Sequence, residues 1–72
     1  MLLFYTYSKM LAVAIILFKE VYTNTDSVEV ALLELKRLGW SQNDAVSVLI
    51  RVFDTNSIYA ENIVANSVAW SK

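Results

Sequence analysis

A single glycine and no proline punctuate the 72 residues, and the glycine falls at the end of an apolar repeat with helical spacing. Val28, Ala31, Leu32, Leu35 and Leu38 recur at i, i+3, i+4, i+7 and i+10, which is one face of an α-helix. Glu29, Glu34, Lys36 and Arg37 fall on its other faces. Gly39 then stands where a helix ends in the left-handed conformation, and Trp40 after it is placed to fold back on Leu35. With so few breakers elsewhere, chain reversals must come from polar clusters that cap helices.

Three such clusters divide the chain. Thr23-Asn-Thr-Asp-Ser27 ends a first helix and starts the second, with Asp26 and Glu29 at capping-box spacing. Ser41 caps a third helix, and Asp44 in its first turn suits the macrodipole. Ala45, Val48, Leu49, Val52 and Phe53 form its inner face. Asp54-Thr-Asn56 breaks that helix, with Asn56 expected in a left-handed turn and Ser57 as the next cap. The last helix turns Ala60, Ile63, Val64 and Ser67 inward, and Val68 and Trp70 close the end. The expected fold is all-α, one domain over 1–72, with helices at about 2–22, 27–38, 42–53 and 58–69. A long apolar N-terminal helix is expected to pack on a compact three-helix unit and to cover Val30, Leu33, Val46, Ile50 and Tyr59, which lie off the inner faces.

The N-terminal stretch invites a membrane reading. Lys9 and Lys19 fence its uninterrupted apolar run, Met10–Phe18, to nine residues. At 1.5 Å per residue this spans about 13–14 Å, short of the ~20 residues a spanning helix needs. Extending the run toward Met1 places Lys9 near mid-membrane, at roughly 2.5–3.5 kcal/mol. As a signal peptide, Leu2-Leu-Phe-Tyr5 is too apolar for a charged leading region, and no clear cleavage site follows Phe18. On a helical wheel Tyr5, Ser8, Lys9, Ala12, Lys19 and Glu20 share one side, with Ile16 intruding. Leu3, Phe4, Met10, Leu11, Val13, Ile15, Leu17, Phe18 and Val21 cover the rest. Such a wide apolar arc suits a helix central to its domain or shared with another chain.

A domain of this size buries only about 60% of its unfolded surface, and one core at this length gives ~3–5 kcal/mol. Disulfide and zinc staples are impossible because the chain has neither Cys nor His. What remains is hydrophobicity, at 57% of residues. Lack of Cys fits a reducing cytoplasm. The formal charge of −1, with six scattered basic residues, argues against direct nucleic-acid binding. Without His or Cys there are no triads, thiol nucleophiles or imidazole metal sites, and one Gly cannot build a phosphate loop. Asp54 to Glu61 lacks the Gly and ligand spacing of a calcium loop and reads as a helix–helix turn. Lys36-Arg37 reads as a solvated pair at a helix C-terminus. No catalytic activity, cofactor or metal is expected.

From Leu35 to Trp70 the pattern resembles two known helical units. Leu38-Gly39-Trp40, followed by Ala45, is similar to the Met-Gly-Phe/Tyr loop and Ala-rich second helix of the ubiquitin-associated domain. That likeness implies a three-helix bundle whose loop and final helix bind a protein partner. Ile50 to Val64 resembles the helical hairpin in the C-terminal domain of the bacterial ribosomal stalk protein, which docks translation factors. The lysines of that hairpin are replaced here by Tyr59 and Asn62, and its strands have no counterpart. As a short acidic chain rich in Asn, Ser, Thr, Ile and Val, the protein is also similar in kind to bacterial immunity proteins and antitoxins. Those occlude the site of a cognate toxin, often by offering carboxylates to a basic cleft.

These readings converge on a protein that acts by binding another protein, with an immunity protein or antitoxin as the leading expectation. The candidate contact residues are Glu34, Trp40, Asp44, Asp54, Tyr59 and Glu61, acids and aromatic anchors grouped around two inter-helix turns. For each acid the competing role is a cap or a solvated face, and for Trp40 a helix-end contact. The alternatives are a self-assembling unit paired through the first helix, and a small membrane-associated protein.

Overall fold

The computed structural model describes the backbone of residues 2–70 and the side chains of residues 11–70. Four helices account for most of it: α1 (Leu2–Thr25), α2 (Val28–Arg37), α3 (Gln42–Phe53) and α4 (Ser57–Ala65), with no strand among the described residues. The all-α fold expected from the spacing is the fold adopted. The placements expected for Leu3, Phe4, Tyr5, Ser8, Lys9 and Met10 lie outside the described side chains. Helix α1 lies against α2 and α3, α2 touches α3, and α3 carries α4.

Each helix brings one fully buried alanine to the centre: Ala14, Ala31, Ala45 and Ala60. A side chain that stops at Cβ lets neighbouring helix axes approach, since interaxial distance follows the residues at the contact. Around them pack Phe18, Leu32, Leu35, Val48, Leu49 and Val64, all without exposed surface or nearly so. The inner faces expected for α2, α3 and α4 are largely the buried ones. The exceptions lie at helix ends, where Leu38 is 48% and Phe53 37% exposed.

Helix α1 departs further from expectation. Val13, placed by the wheel with the inward residues, is 57% exposed, and Ala14 takes the buried position instead. Ile16, which the wheel set among the polar residues, is exposed as expected, and over the described side chains the buried stripe is narrower than the apolar arc. The cause is length and number: helices of 10 and 12 residues can cover only one side of a 24-residue neighbour. For the same reason α1 does not shield Val30, Leu33 or Tyr59, which stay exposed, whereas Val46 and Ile50 are half-buried.

The turns are built by caps, two of them shifted by one residue from the expected position. Helix α1 runs through Thr25, whose hydroxyl donates back to the Val21 carbonyl at 2.7 Å. Asp26 takes the left-handed conformation, φ 57°, and its N–H donates to Tyr22 O. That leaves the extended cap geometry to Ser27, whose Oγ accepts from Val30 N. At the next break Asp54 is left-handed, φ 53°, not Asn56. Asn56 instead caps α4 by accepting from Tyr59 N at 2.8 Å, in place of Ser57. In both places a left-handed Asp is the stop and the polar residue that follows within two positions is the start.

Two ends behave as the sequence indicates. Gly39 is left-handed, φ 97°, and donates to Lys36 O, while Trp40 N donates to Leu35 O at 3.0 Å. Those bonds make a Schellman cap, and Trp40 packs half-buried against the core. At α3, Ser41 Oγ accepts from Asp44 N and the Asp44 carboxylate accepts from Ser41 N, a reciprocal capping box.

Helix α4 stops at Ala65, four residues before the expected end, and residues 66–70 continue in turns. Ser67 explains the stop. Its buried hydroxyl accepts from Ala69 N and donates to Glu29 Oε1, drawing the local backbone out of the helical ladder.

Candidate functional site

The turn between α3 and α4 opens a cleft of about 300 Å³, lined by Val28, Phe53, Asp54, Thr55, Tyr59 and Ile63. The aromatic cluster between α1 and α3 fixes its floor. Phe53 meets Phe18 edge-on at 6.0 Å between ring centroids and Tyr22 edge-on at 5.5 Å, while Phe18 and Tyr22 stack at 6.2 Å. Edge-to-face pairs of this kind add about 0.5–1.5 kcal/mol beyond burial, so Phe53 is held although it is the last residue of its helix.

Asp54 follows in the left-handed conformation and reverses the chain, with its N–H and that of Thr55 both donating to Ile50 O. Asn56 then starts α4, which brings Tyr59 and Ile63, four residues apart on one face, to the opposite wall. Val28, at the first turn of α2, completes the lining. Two separated stretches, the start of α2 and the run from Phe53 to Ile63, are thus needed to make one hollow.

The walls are mainly hydrocarbon and aromatic ring. The polar residues of the lining are Asp54, Thr55 and Tyr59. Asp54 is exposed at the C-terminus of α3, where the unpaired carbonyls carry the negative end of the helix dipole. The rim therefore favours a cation. The volume lies at the low end of the ~300–1,000 Å³ of small-molecule pockets and suits one or two side chains. Among the described residues no three His, Cys, Asp or Glu side chains gather as a metal site.

Of the six residues singled out from the sequence, the structure brings Asp54 and Tyr59 together in this cleft. Glu61 is exposed on α4, two residues beyond Tyr59. The other three are elsewhere and engaged. Glu34 pairs with Arg37, whose Nε donates to Oε1 at 3.1 Å and whose Nη2 donates to Oε2. The hydrogen bond from Arg37 holds the Glu34 carboxyl below its usual range and raises Arg37 in return. Asp44 serves the capping box, and Trp40 closes the Schellman turn.

Sequence reading missed Val28, Thr55 and Ile63 as site residues, and placed Phe53 only on the inner face of α3. It also missed three long-range bonds from α2. Glu29 Oε1 accepts from Ser67 Oγ at 2.9 Å and from Val68 N at 3.2 Å, and Lys36 Nζ donates to Ala69 O at 2.6 Å. Lys36 is thus partnered, where a solvated side chain was expected. No local signal could reveal contacts across more than 30 residues of chain.

No known protein family, curated protein or solved structure matches the chain.

Proposed function

We propose that this chain is a non-catalytic binding protein that seats a side chain of a protein partner in the cleft between Phe53 and Tyr59. In its most specific form the proposal is a bacterial immunity protein or antitoxin, acting in the cytoplasm, that neutralises a cognate toxin by contact. The observation that supports it is the cleft itself: mainly apolar walls, an exposed tyrosine and an exposed aspartate in the lining. Tyrosine supplies a large, stiff contact surface at low entropy cost, and such residues dominate binding energy at interfaces. Asp54, with Glu61 nearby on α4, suits a partner that presents Lys or Arg beside an apolar anchor.

The test is co-expression with the product of the neighbouring reading frame. A complex should form, and Tyr59→Ala and Asp54→Asn should each weaken it about tenfold or more. Asn tolerates the left-handed turn, so the second substitution removes charge without disturbing the reversal. If the neighbour's product is neither toxic nor bound, the immunity reading fails.

One observation favours a second reading, self-assembly through α1. Val13 and Ile16 lie three residues apart on that helix at 57% and 65% exposure. A clean monomer by light scattering at high micromolar concentration would remove it. As for a membrane role, no helix among the described residues is long and apolar enough to cross a bilayer.

A further inference from the structure

We infer that Glu29 is a pin that sets the opening of the cleft, by tying the end of α4 to the start of α2. The inference rests on reading the cleft as a binding site and concerns how that site is held. The two walls belong to different parts of the fold. Val28 lines the cleft from α2, whereas Tyr59 and Ile63 line it from α4, which rests on α3. The turn joining α3 to α4 is a reversal around left-handed Asp54, a natural pivot.

One carboxylate oxygen bridges these parts. Glu29 is the chain neighbour of Val28, and its Oε1 accepts from both Ser67 Oγ and Val68 N. Ser67 lies four residues beyond Ile63, in the segment that follows α4, so the bonds join the neighbour of one wall residue to the stretch just after the other wall. Hydrogen bonds to a charged acceptor are the stronger kind, and here two donors converge on one atom. The Ser67 end is buried and Ala69 beside it is 2% exposed, while Glu29 and Val68 are exposed, so the tie runs from the surface of α2 to a residue set in the core. A second tie, Lys36 Nζ to Ala69 O, holds the same segment seven residues further along α2. That is about 10 Å along the helix from Glu29 and away from the cleft lining. Glu29 therefore controls the cleft, while Lys36 secures only the tail.

The experiment compares Glu29→Ala, Glu29→Gln, Ser67→Ala and Lys36→Ala in the full chain by NMR and amide hydrogen exchange. Each is read on the wall opposite the substitution, so that neighbour effects do not count. In Glu29→Ala the Val68 amide should exchange about tenfold faster or more, and the Ile63 methyl and Tyr59 ring signals should move. In Ser67→Ala the Val28 methyl signals should move. Glu29→Gln, which keeps the accepting oxygen, should stay near wild type in the cleft. Lys36→Ala should speed exchange near Trp70 and leave the cleft signals in place.

A Glu29→Ala protein whose Val68 amide is freed while Ile63 and Tyr59 are unmoved would overturn the inference. So would a Lys36→Ala protein that moves the cleft equally. Should Glu29→Ala fail to fold, Ser67→Ala read at Val28 decides in the same way. All readings use the free protein, so a failed partner search leaves this result standing, and failure here leaves partner binding to be judged separately.

Discussion

At the residue scale, three positions among the described residues carry left-handed backbone, one in each turn between helices: Asp26, Gly39 and Asp54. Only Gly39 does so without a Cβ. Beyond Gly39 and its two chain neighbours, no atom lies within 4 Å of where a Cβ would be, so a substitution there is strained by conformation and not by contact. Gly39→Ala should cost about 1 kcal/mol in urea unfolding, with an unchanged helical spectrum. Glu34 gives a second residue-scale test. Its folded-state pKa lies below the ordinary value of 4.5, chiefly through the Arg37 hydrogen bond. The pair's stabilisation is therefore present above that value and is lost as pH falls through the folded one. Wild type and Glu34→Gln should differ in melting temperature at neutral pH and converge in acid. The difference should be small and shrink with added salt, because Arg37 is exposed and Glu34 is only half-buried.

At the scale of elements, caps do what proline and glycine do elsewhere. Ser41→Ala removes the Oγ that accepts from Asp44 N and breaks the reciprocal box, and it should cost about 1 kcal/mol in chemical denaturation. This layer was largely legible in the sequence. The Gly39–Trp40 cap, the Ser41 cap and the inner faces of α2, α3 and α4 depend on residues a few positions apart, and spacing reports such contacts; the return bond from Ser41 N to the Asp44 carboxylate was read only as a dipole effect. The cap shifts at Ser27 and Asn56 were not legible. Asp, Ser and Asn all favour both caps and left-handed turns, so composition cannot say which neighbour does which. The early end of α4 lay further out of reach, since Ser67 leaves the helix to meet Glu29 across 38 residues. The cleft fell between these cases: its turn was expected, but its Val28 wall comes from a helix 25 residues earlier.

For the whole molecule, the short turns at 26–27, 38–41 and 54–56 mean that each helix finds its successor quickly. The Glu29 and Lys36 ties are different in kind. Each closes a loop of more than 30 residues, whose entropic cost must be met before the contact stabilises anything. They should form after the helices have docked, late in folding. Removing them should then leave the refolding rate almost untouched and accelerate unfolding, giving a φ-value near zero for Ser67→Ala in stopped-flow measurements. The strap of residues 66–70 beyond α4 would in that case govern how long the native state lasts, while having no part in how fast it is reached.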